Sequence, residues 1–389
     1  MQMNIQTLDS TYIAHTYGRF PLALTRGKGS LVYDESGKEY IDMATGIAVN
    51  TFGIADDPWV QAVTEQLSAL QHTSNLYYTE PCAKLAEMLC LRTGMKKVFF
   101  SNSGAEANEC LIKTARKYSA DKYGAGRHTI LTLENSFHGR TVTTLAATGQ
   151  DVFHKDFLPQ TEGFESYPAD DPQVICGRMA KGDVAAVLFE CVQGEGGVLP
   201  LKPEFVSALS KCAAEQDVLL CCDEVQCGNG RTGKLYGYMH YGITPDLVST
   251  AKGLAGGLPL GATLMGEKVQ DVLQPGSHGS TFGGNPVCCA GAVSILSRLD
   301  DVLLAEVQKK ADYIFNELSS APGIKSVTGM GLMIGIETEG DSGEILTACM
   351  EQGVLVIKAK QKLRLLPALN IPWDVLKKAV AVIKTCAAV

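Results

Sequence analysis

The sequence predicts an α/β fold, with a large and mostly parallel sheet covered by helices and a smaller α+β domain beside it. Six near-continuous apolar runs carry this prediction: KVFFS (97–101), HTILTLE (128–134), VAAVLFE (184–190), DVLLCCDE (217–224), LVST (247–250) and ATLMG (262–266). Such runs are typical of strands buried on both faces, and the stretch 104–120 between two of them has helical spacing. The alternation of strands and helices indicates parallel pairing.

The two ends of the chain differ from this central pattern. Residues 27–43 (GKGSLVYDESGKEYIDM) predict a small antiparallel ribbon with a turn at 35–37. A long helical segment (292–318) follows the central part, and then come short strands at 331–338, 354–358 and 363–367 and a last helix. We therefore expect residues 1–45 to contribute to the small domain, 46–290 to form the large domain and 291–389 to complete the small one.

The composition excludes several classes of protein. The formal net charge is -8 and the pI is about 5.5, so nucleic-acid binding is not expected. No apolar run is long enough to cross a membrane, and the first ten residues do not resemble a secretion signal. The 13 cysteines are an odd number without CxxC spacing, which predicts reduced thiols and no metal site. We expect a cytoplasmic protein.

The residues that could bind a ligand or take part in a reaction lie at the ends of the predicted strands. A Ser103-Gly104-Ala105 turn opens a helix, where backbone N–H groups can bind a phosphate, although Ser103 could equally serve as an ordinary N-cap. Phe137 and Arg140 follow the next strand, and Asp223 ends another. Ligands of parallel sheets gather at these carboxyl ends.

Lys252 lies between two apolar runs and beside several glycines, directly after the strand 247–250. A lysine at a strand end is usually solvated or ion-paired. Together, however, a phosphate seat, an aromatic ring, an acid and a semi-buried lysine predict a pyridoxal phosphate site. Burial would lower the pKa of Lys252 and free its amine to form a Schiff base, and Asp223 would keep the ring nitrogen protonated.

The chain resembles the class III pyridoxal-phosphate aminotransferases of fold type I, and within them the acetylornithine type. Nine segments carry the resemblance: GKGSLVYDESGKEYIDMATGIAVNTFG, HTSNLYYTEP, FFSNSGAEANE, NSFHGRT, QGEGGVLP, DEVQCGNGRTG, KGLAGGLPLGA, GSTFGGNP and LRLLPAL. Each is weak alone, but their order and spacing over nearly the whole chain are specific. One departure is FGIADDPWV near residue 58, where the family often has LGHxHP; it affects a loop and no cofactor contact.

The resemblance implies a set of cofactor contacts: Ser103, Gly104, Ala105, Phe137, Asp223, Glu224, Val225, Gln226, Lys252 and Thr281. In this assignment Phe137 and Val225 cover opposite faces of the ring, and Gln226 lies near its phenolic oxygen. Lys252 and Asp223 are the catalytic residues. Thr281 resembles a threonine that reaches the phosphate from the other subunit, which implies a homodimer with shared sites.

The resemblance also implies substrate contacts at Arg140, Glu195, Ser280 and Arg364. Arg364 would bind the α-carboxylate of glutamate, and Arg140 the distal carboxylate of glutamate or the α-carboxylate of an ω-amino donor. Glu195 would mask Arg364 when the donor has no carboxylate there, although it could instead only cap a turn. A surface salt bridge is the alternative for each arginine.

The expected activity is transfer of an ω-amino group from N-acetylornithine to 2-oxoglutarate, giving N-acetylglutamate semialdehyde and glutamate in arginine biosynthesis. Succinylornithine, succinyl-diaminopimelate, ornithine and 4-aminobutyrate would use the same residues and stay open as donors. A pyridoxal-phosphate aminomutase is a different enzymatic alternative. A binding or regulatory protein on a decayed scaffold is a weaker one, because the matched catalytic positions are intact.

Overall fold

A computed structural model describes residues 4–388. Its strands, in chain order, are β1 Leu24–Lys28, β2 Leu31–Asp34, β3 Glu39–Asp42, β4 Lys97–Ser101, β5 Thr129–Leu133, β6 Phe164–Tyr167, β7 Val184–Phe189, β8 Val192–Gln193, β9 Leu199–Pro200, β10 Leu219–Asp223, β11 Leu247–Thr250, β12 Gly261–Met265, β13 Ile324–Met330, β14 Met333–Thr338, β15 Val354–Leu355, β16 Ile357–Ala359 and β17 Lys362–Leu365.

The helices, also in chain order, are α1 Ile5–Tyr12, α2 Thr45–Ala48, α3 Asp57–Ala69, α4 Glu80–Thr93, α5 Gly104–Tyr123, α6 Val142–Ala147, α7 Pro172–Met179, α8 Pro203–Glu215, α9 Pro286–Leu296, α10 Asp301–Leu318, α11 Ser342–Glu351 and α12 Trp373–Ala387. Short 3-10 turns cover Asp151–Phe153, Gly237–His240 and Lys252–Leu254. The α2 turn is irregular, since Gly46 and Ile47 have left-handed backbone angles.

The large sheet has seven strands in the order β4-β12-β11-β10-β7-β5-β6. Pairing is parallel from β11 to β6, and β12 runs antiparallel to both β11 and β4. All six predicted strands are present, and the mostly parallel sheet is confirmed. The edge strand β6 was not predicted, because its sequence FESY is only partly buried and has no continuous apolar run.

The N-terminal ribbon joins the C-terminal part of the chain through strand β3. Strands β1, β2 and β3 form the expected antiparallel ribbon, and β15 adds to β3 in parallel. A second antiparallel sheet, β13-β14-β17-β16, holds Arg364 on β17. We keep the division into 1–45, 46–290 and 291–389 as a proposal, and note that residue 290 lies inside α9.

The long helix predicted over 292–318 is wrong as a single element. The chain forms α9 and α10 with a break at residues 297–300. The reason is local, because the Asp300 side chain accepts a hydrogen bond from the Leu303 N–H (2.8 Å) and starts a new helix there. Helix periodicity continues through such a break, so the apolar pattern alone does not reveal it.

One hydrophobic core joins the two parts of the molecule. It contains Phe189 from the large sheet, Ile336 and Leu363 from the small sheet, and Ile383 from the last helix, all without exposed surface. The stretch between the parts is therefore no loose linker. None of the helices within residues 4–388 is long and apolar enough to cross a membrane.

The cysteines differ from expectation at one pair. Cys176 on α7 and Cys212 on α8 form a disulfide, with their Cα atoms 5.7 Å apart, because the two helices pack side by side. The expectation that all thiols are reduced is therefore wrong for this pair. The other eleven cysteines are free, and most are buried.

Candidate active site

A cavity of about 460 Å³ opens at the carboxyl edge of the large sheet. The chain segments that follow five strands line it, and these are β4, β5, β7, β10 and β11. The antiparallel strand β12 begins at the same edge, so the residues just before it also reach the cavity. Most of the predicted cofactor positions are brought together here: Ser103, Gly104, Ala105, Phe137, Asp223, Val225, Gln226 and Lys252.

Lys252 lies two residues after the end of β11 and lines the cavity. Its backbone has a φ of 45°, a left-handed conformation that is uncommon for a residue with a side chain. Burial lowers the pKa of Lys252; Arg364 lowers it further, whereas the charge of Glu195 opposes the shift. A lowered pKa increases the share of the neutral, nucleophilic amine.

Asp223 is the last residue of β10 and is only 3% exposed. Its Oδ2 accepts hydrogen bonds from Asn108 Nδ2 (2.7 Å) and His138 Nδ1 (2.8 Å), and its Oδ1 accepts one from the Val225 N–H (3.0 Å). A carboxylate has about four acceptor positions, so these three bonds leave one for a ligand in the cavity. A protonated ring nitrogen fits that position.

The Ser103-Gly104-Ala105 turn lies at the N-terminus of α5, a helix of 20 residues. Ser103 is the N-cap, and its Oγ accepts a hydrogen bond from the Glu106 N–H (3.2 Å). The first amides of a helix lack partners within the helix, and the residues of this turn line the cavity. Both predicted roles therefore coexist, because Ser103 caps the helix while the turn offers an anion site.

Phe137 and Val225 line the same cavity. Val225 packs so tightly on Gly104 that an added Cβ at Gly104 would lie 2.6 Å from Val225 Cγ1, so only glycine fits there. Glu224 is placed elsewhere: its two oxygens accept the Gly237 and Tyr238 N–H groups (2.8 and 2.7 Å), and it does not line the cavity. Successive side chains at a strand end alternate in direction, which turns Glu224 away.

Arg364 and Glu195 form an ion pair beside the cavity. Arg364 Nη1 donates to Glu195 Oε1 (2.6 Å) and Nη2 donates to Oε2 (3.3 Å), while Arg364 is only 2% exposed. Gln226 links the pair to the cavity, because its Oε1 accepts from Arg364 Nη1 (3.0 Å). Burial alone would raise the pKa of Glu195, but the charge of Arg364 holds that pKa below its usual value.

Arg140 is exposed and lines the cavity, and its guanidinium lies 4.3 Å from the centre of the Phe153 ring. Unlike Arg364, it pairs with no acidic side chain among residues 4–388. Ser280 is not in the cavity wall; its Oγ accepts from Asn102 Nδ2 (3.1 Å), and Asn102 does line the cavity. Thr281 is exposed on the surface and also lies outside this cavity wall.

Three buried residues of the site were not predicted. Asn108 and His138 hold Asp223, and Glu190, which is 4% exposed, accepts from the Phe137 N–H (2.9 Å) and the Gly194 N–H (3.1 Å). Burial raises the pKa of Glu190 to about 7, and Asp223 adds to the shift while His138 opposes it. Glu190 ends an apolar run and His138 follows Phe137, so both had a visible signal; Asn108 had only its place on α5.

Comparison with known proteins decides the family. The chain matches the family model for class III aminotransferases over residues 12–387. The chain belongs to the class III aminotransferases. This aminotransferase is 50% identical to the acetylornithine aminotransferase of Haemophilus ducreyi, with 97% of each chain covered. It is 41% identical to the enzyme of the same name from Caldanaerobacter subterraneus, again with 97% of each chain covered.

Solved structures agree with the fold of this aminotransferase. The ornithine aminotransferase of Toxoplasma gondii has a TM-score of 0.94 at 29% identity, covering 98% of this chain and 94% of the other. The N-acetylornithine aminotransferase of Stenotrophomonas maltophilia has a TM-score of 0.86 at 34% identity, covering 98% of each chain. The predicted fold of the pyridoxal-phosphate aminotransferases is confirmed.

Pyridoxal phosphate is the cofactor of this family, and the cavity of this aminotransferase fits it. The helix terminus at Ser103–Ala105 suits the phosphate, the remaining acceptor position of Asp223 suits the ring nitrogen, and Lys252 suits the aldehyde. The departing loop FGIADDP does not touch the cavity. There Asp56 caps α3 and forms an ion pair with Arg298 at 2.7 Å.

Proposed function

We propose that this aminotransferase moves the δ-amino group of N-acetylornithine to 2-oxoglutarate in arginine biosynthesis. One observation carries the proposal: the cavity has one open arginine, Arg140, in its wall, and a second arginine, Arg364, lies beside it behind Gln226 and is masked by a carboxylate. The names of the relatives at 50% and 41% identity support N-acetylornithine as donor.

The two arginines explain how one cavity can serve two different substrates. N-acetylornithine has its amino group at one end and its only carboxylate at the other, so Arg140 binds that carboxylate while Glu195 keeps Arg364 neutralised. Glutamate carries two carboxylates, so its α-carboxylate displaces Glu195 from Arg364 and its distal carboxylate binds Arg140. A guanidinium fork matches a carboxylate bidentately in both cases.

Lys252 and Asp223 are the residues that would act on the cofactor and on the proton that is transferred. When bound, pyridoxal phosphate supplies an aldehyde for the amino group and a conjugated ring that accepts electrons as a proton leaves the substrate. Lys252, whose pKa is lowered by burial, would act as the base that takes this proton and later returns it. Asp223, held by Asn108 and His138, would stabilise a positive charge on the ring nitrogen of the bound cofactor.

Ornithine is the second candidate donor, because the Toxoplasma gondii ornithine aminotransferase has the TM-score of 0.94. A donor panel separates the candidates, with 2-oxoglutarate as acceptor and N-acetylornithine, succinylornithine, succinyl-diaminopimelate, ornithine and 4-aminobutyrate as donors. We expect the highest kcat/KM with N-acetylornithine. A higher value with free ornithine would reject the proposed donor and support the second candidate.

We further propose a cytoplasmic homodimer in which Thr281 completes the site of the other subunit. The exposure of Thr281 and its position outside the cavity wall of its own chain support this arrangement. Mixed dimers of Lys252→Ala and Thr281→Ala chains should then contain one intact site and recover activity that either variant alone lacks. No recovery in proven mixed dimers would mean that each site belongs to one chain.

A further inference from the structure

A second cavity, of about 390 Å³, lies beside the active site. Its walls are largely apolar and come from Val142, Leu145, Phe157 and Leu158. Arg140 lines both this cavity and the main one, so the two cavities meet at this residue. A group attached next to a carboxylate bound at Arg140 would therefore be directed to this second cavity.

The walls of the second cavity are unusually exposed for apolar side chains. Val142 and Leu158 are each 73% exposed, and Phe157 is 63% exposed. Adjacent apolar side chains with this much exposure mark a binding surface. Gln160 adds a polar group to the cavity, and its side-chain amide forms no hydrogen bond within residues 4–388. Apolar walls with a few polar groups are typical of small-molecule sites.

Arg140 is fixed in a way that favours this arrangement. Its guanidinium stacks on the Phe153 ring at 4.3 Å and lies 5.6 Å from the Phe137 ring centre. Stacking restrains the plane of the guanidinium but leaves its N–H edge free for a carboxylate. A carboxylate bound by Arg140 would therefore lie where the two cavities meet.

We propose that the second cavity binds the N-acyl group of the donor and thereby selects acylated over free α-amino acids. The inference rests on the proposed function. In an N-acyl α-amino acid the acylamino group and the carboxylate share one carbon atom, so a carboxylate on Arg140 places the acyl group beside it. The methyl group then packs on Phe157 and Leu158, and Gln160 offers its amide N–H to the acyl carbonyl.

The same cavity disfavours free ornithine for two reasons. A free α-ammonium group would lose water among apolar side chains, and it would also lie close to the positive charge of Arg140. Glutamate avoids both penalties, because the carbon next to its distal carboxylate carries no amino group. The cavity therefore affects the donor half of the reaction and leaves the glutamate half unchanged.

The first test measures binding without reaction. N-acetyl-L-norvaline has the carboxylate and the acetyl group of the donor but no ω-amine. Its binding is measured by calorimetry with the holoenzyme in the pyridoxamine phosphate form, which has no aldehyde for the amine of a ligand to react with. We expect L-norvaline, with a free α-amine, to bind at least about 10-fold more weakly, and Leu158→Ala or Phe157→Ala to weaken N-acetylnorvaline binding by about 10-fold. Leu91→Ala is the matched control, since Leu91 is 77% exposed and lines neither cavity.

The second test compares the two half-reactions by single-turnover kinetics. Leu158→Ala and Phe157→Ala should slow the reaction with N-acetylornithine by about 10-fold and leave that with glutamate within about 2-fold. An equal loss with both substrates, or equal binding of norvaline and N-acetylnorvaline, overturns the proposal. If N-acetylornithine is not a donor but N-acetylnorvaline binding still depends on Leu158, the acyl site stands and the proposed donor is wrong.

Discussion

Two carboxylates near Lys252, Asp223 and Glu195, are held in opposite ways. Asp223 is 3% exposed and accepts hydrogen bonds from two side chains and one backbone N–H, which come from three segments of the chain. Glu195 has a side chain that is 29% exposed and depends mainly on Arg364, with a long 3.4 Å bond from Gln226. Asp223 is fixed, as its role toward the cofactor requires in both half-reactions. Glu195 can move, as its role toward Arg364 requires when the substrate changes.

The charges of both carboxylates raise the pKa of Lys252, so this residue interacts with the fixed and the movable carboxylate alike. Removing Lys252 should therefore have the largest effect on activity. Lys252→Ala should abolish transamination and leave the fold intact, because the nucleophile and the proton carrier are both lost. Borohydride reduction of the wild-type holoenzyme, followed by peptide mapping, should place the cofactor on Lys252. Lys211→Ala, on the exposed face of α8, is the control and should keep full activity; label on another lysine contradicts the assignment.

Asp223→Asn tests the fixed carboxylate. The amide keeps a hydrogen bond but cannot stabilise a positive ring nitrogen, so kcat should fall by about 100-fold or more while cofactor binding partly persists. Single-turnover kinetics and the absorbance of the bound cofactor measure the two effects separately. Near-normal turnover would show that Asp223 only holds the ring, and Asp217→Asn provides a control for loss of a carboxylate elsewhere.

Glu195→Gln tests the movable carboxylate. Releasing Arg364 should favour glutamate over N-acetylornithine by about 5-fold or more, since a partly exposed ion pair contributes about 1 kcal/mol. The ratio of the two half-reaction rates is the measurement. Arg364→Ala should impair the glutamate half-reaction more, whereas Arg140→Ala should impair both. If Glu195→Gln changes both rates by one factor, Glu195 has only a structural role.

Glu190→Gln should give the smallest effect of these substitutions. It tests a second buried carboxyl group, whose charge acts on Asp223. Burial raises the pKa of Glu190 from 4.5 to about 7, so its contribution to stability is complete below pH 4.5 and is lost as the pH rises through 7. The wild-type Tm should therefore fall more steeply over this range than that of Glu190→Gln. Glu204→Gln, at an exposed position of α8, should retain the wild-type slope; an unchanged slope in Glu190→Gln would mean that the carboxyl is ionised throughout.

The sequence predicted the parts of the site that lie directly on strand ends. Lys252, Asp223 and Phe137 each follow an apolar run, and such runs are visible without a structure. The partners of Asp223 are different, because Asn108 and His138 come from other segments and only tertiary packing brings them to it. The second cavity was missed for a similar reason, since much of its wall comes from an irregular stretch after α6 that has no hydrophobic periodicity.

The antiparallel strand β12 also has a consequence for how the chain folds during synthesis. Strand β4 lies at the edge of the large sheet, and within residues 4–388 its one neighbour there is β12, about 160 residues later in the chain. At a synthesis rate of 5–20 residues per second, β4 waits roughly 10–30 s before its partner exists. During that time the nascent chain exposes an apolar strand and the Ser103 turn beside it, so this is the segment where we expect a ribosome-associated chaperone to bind.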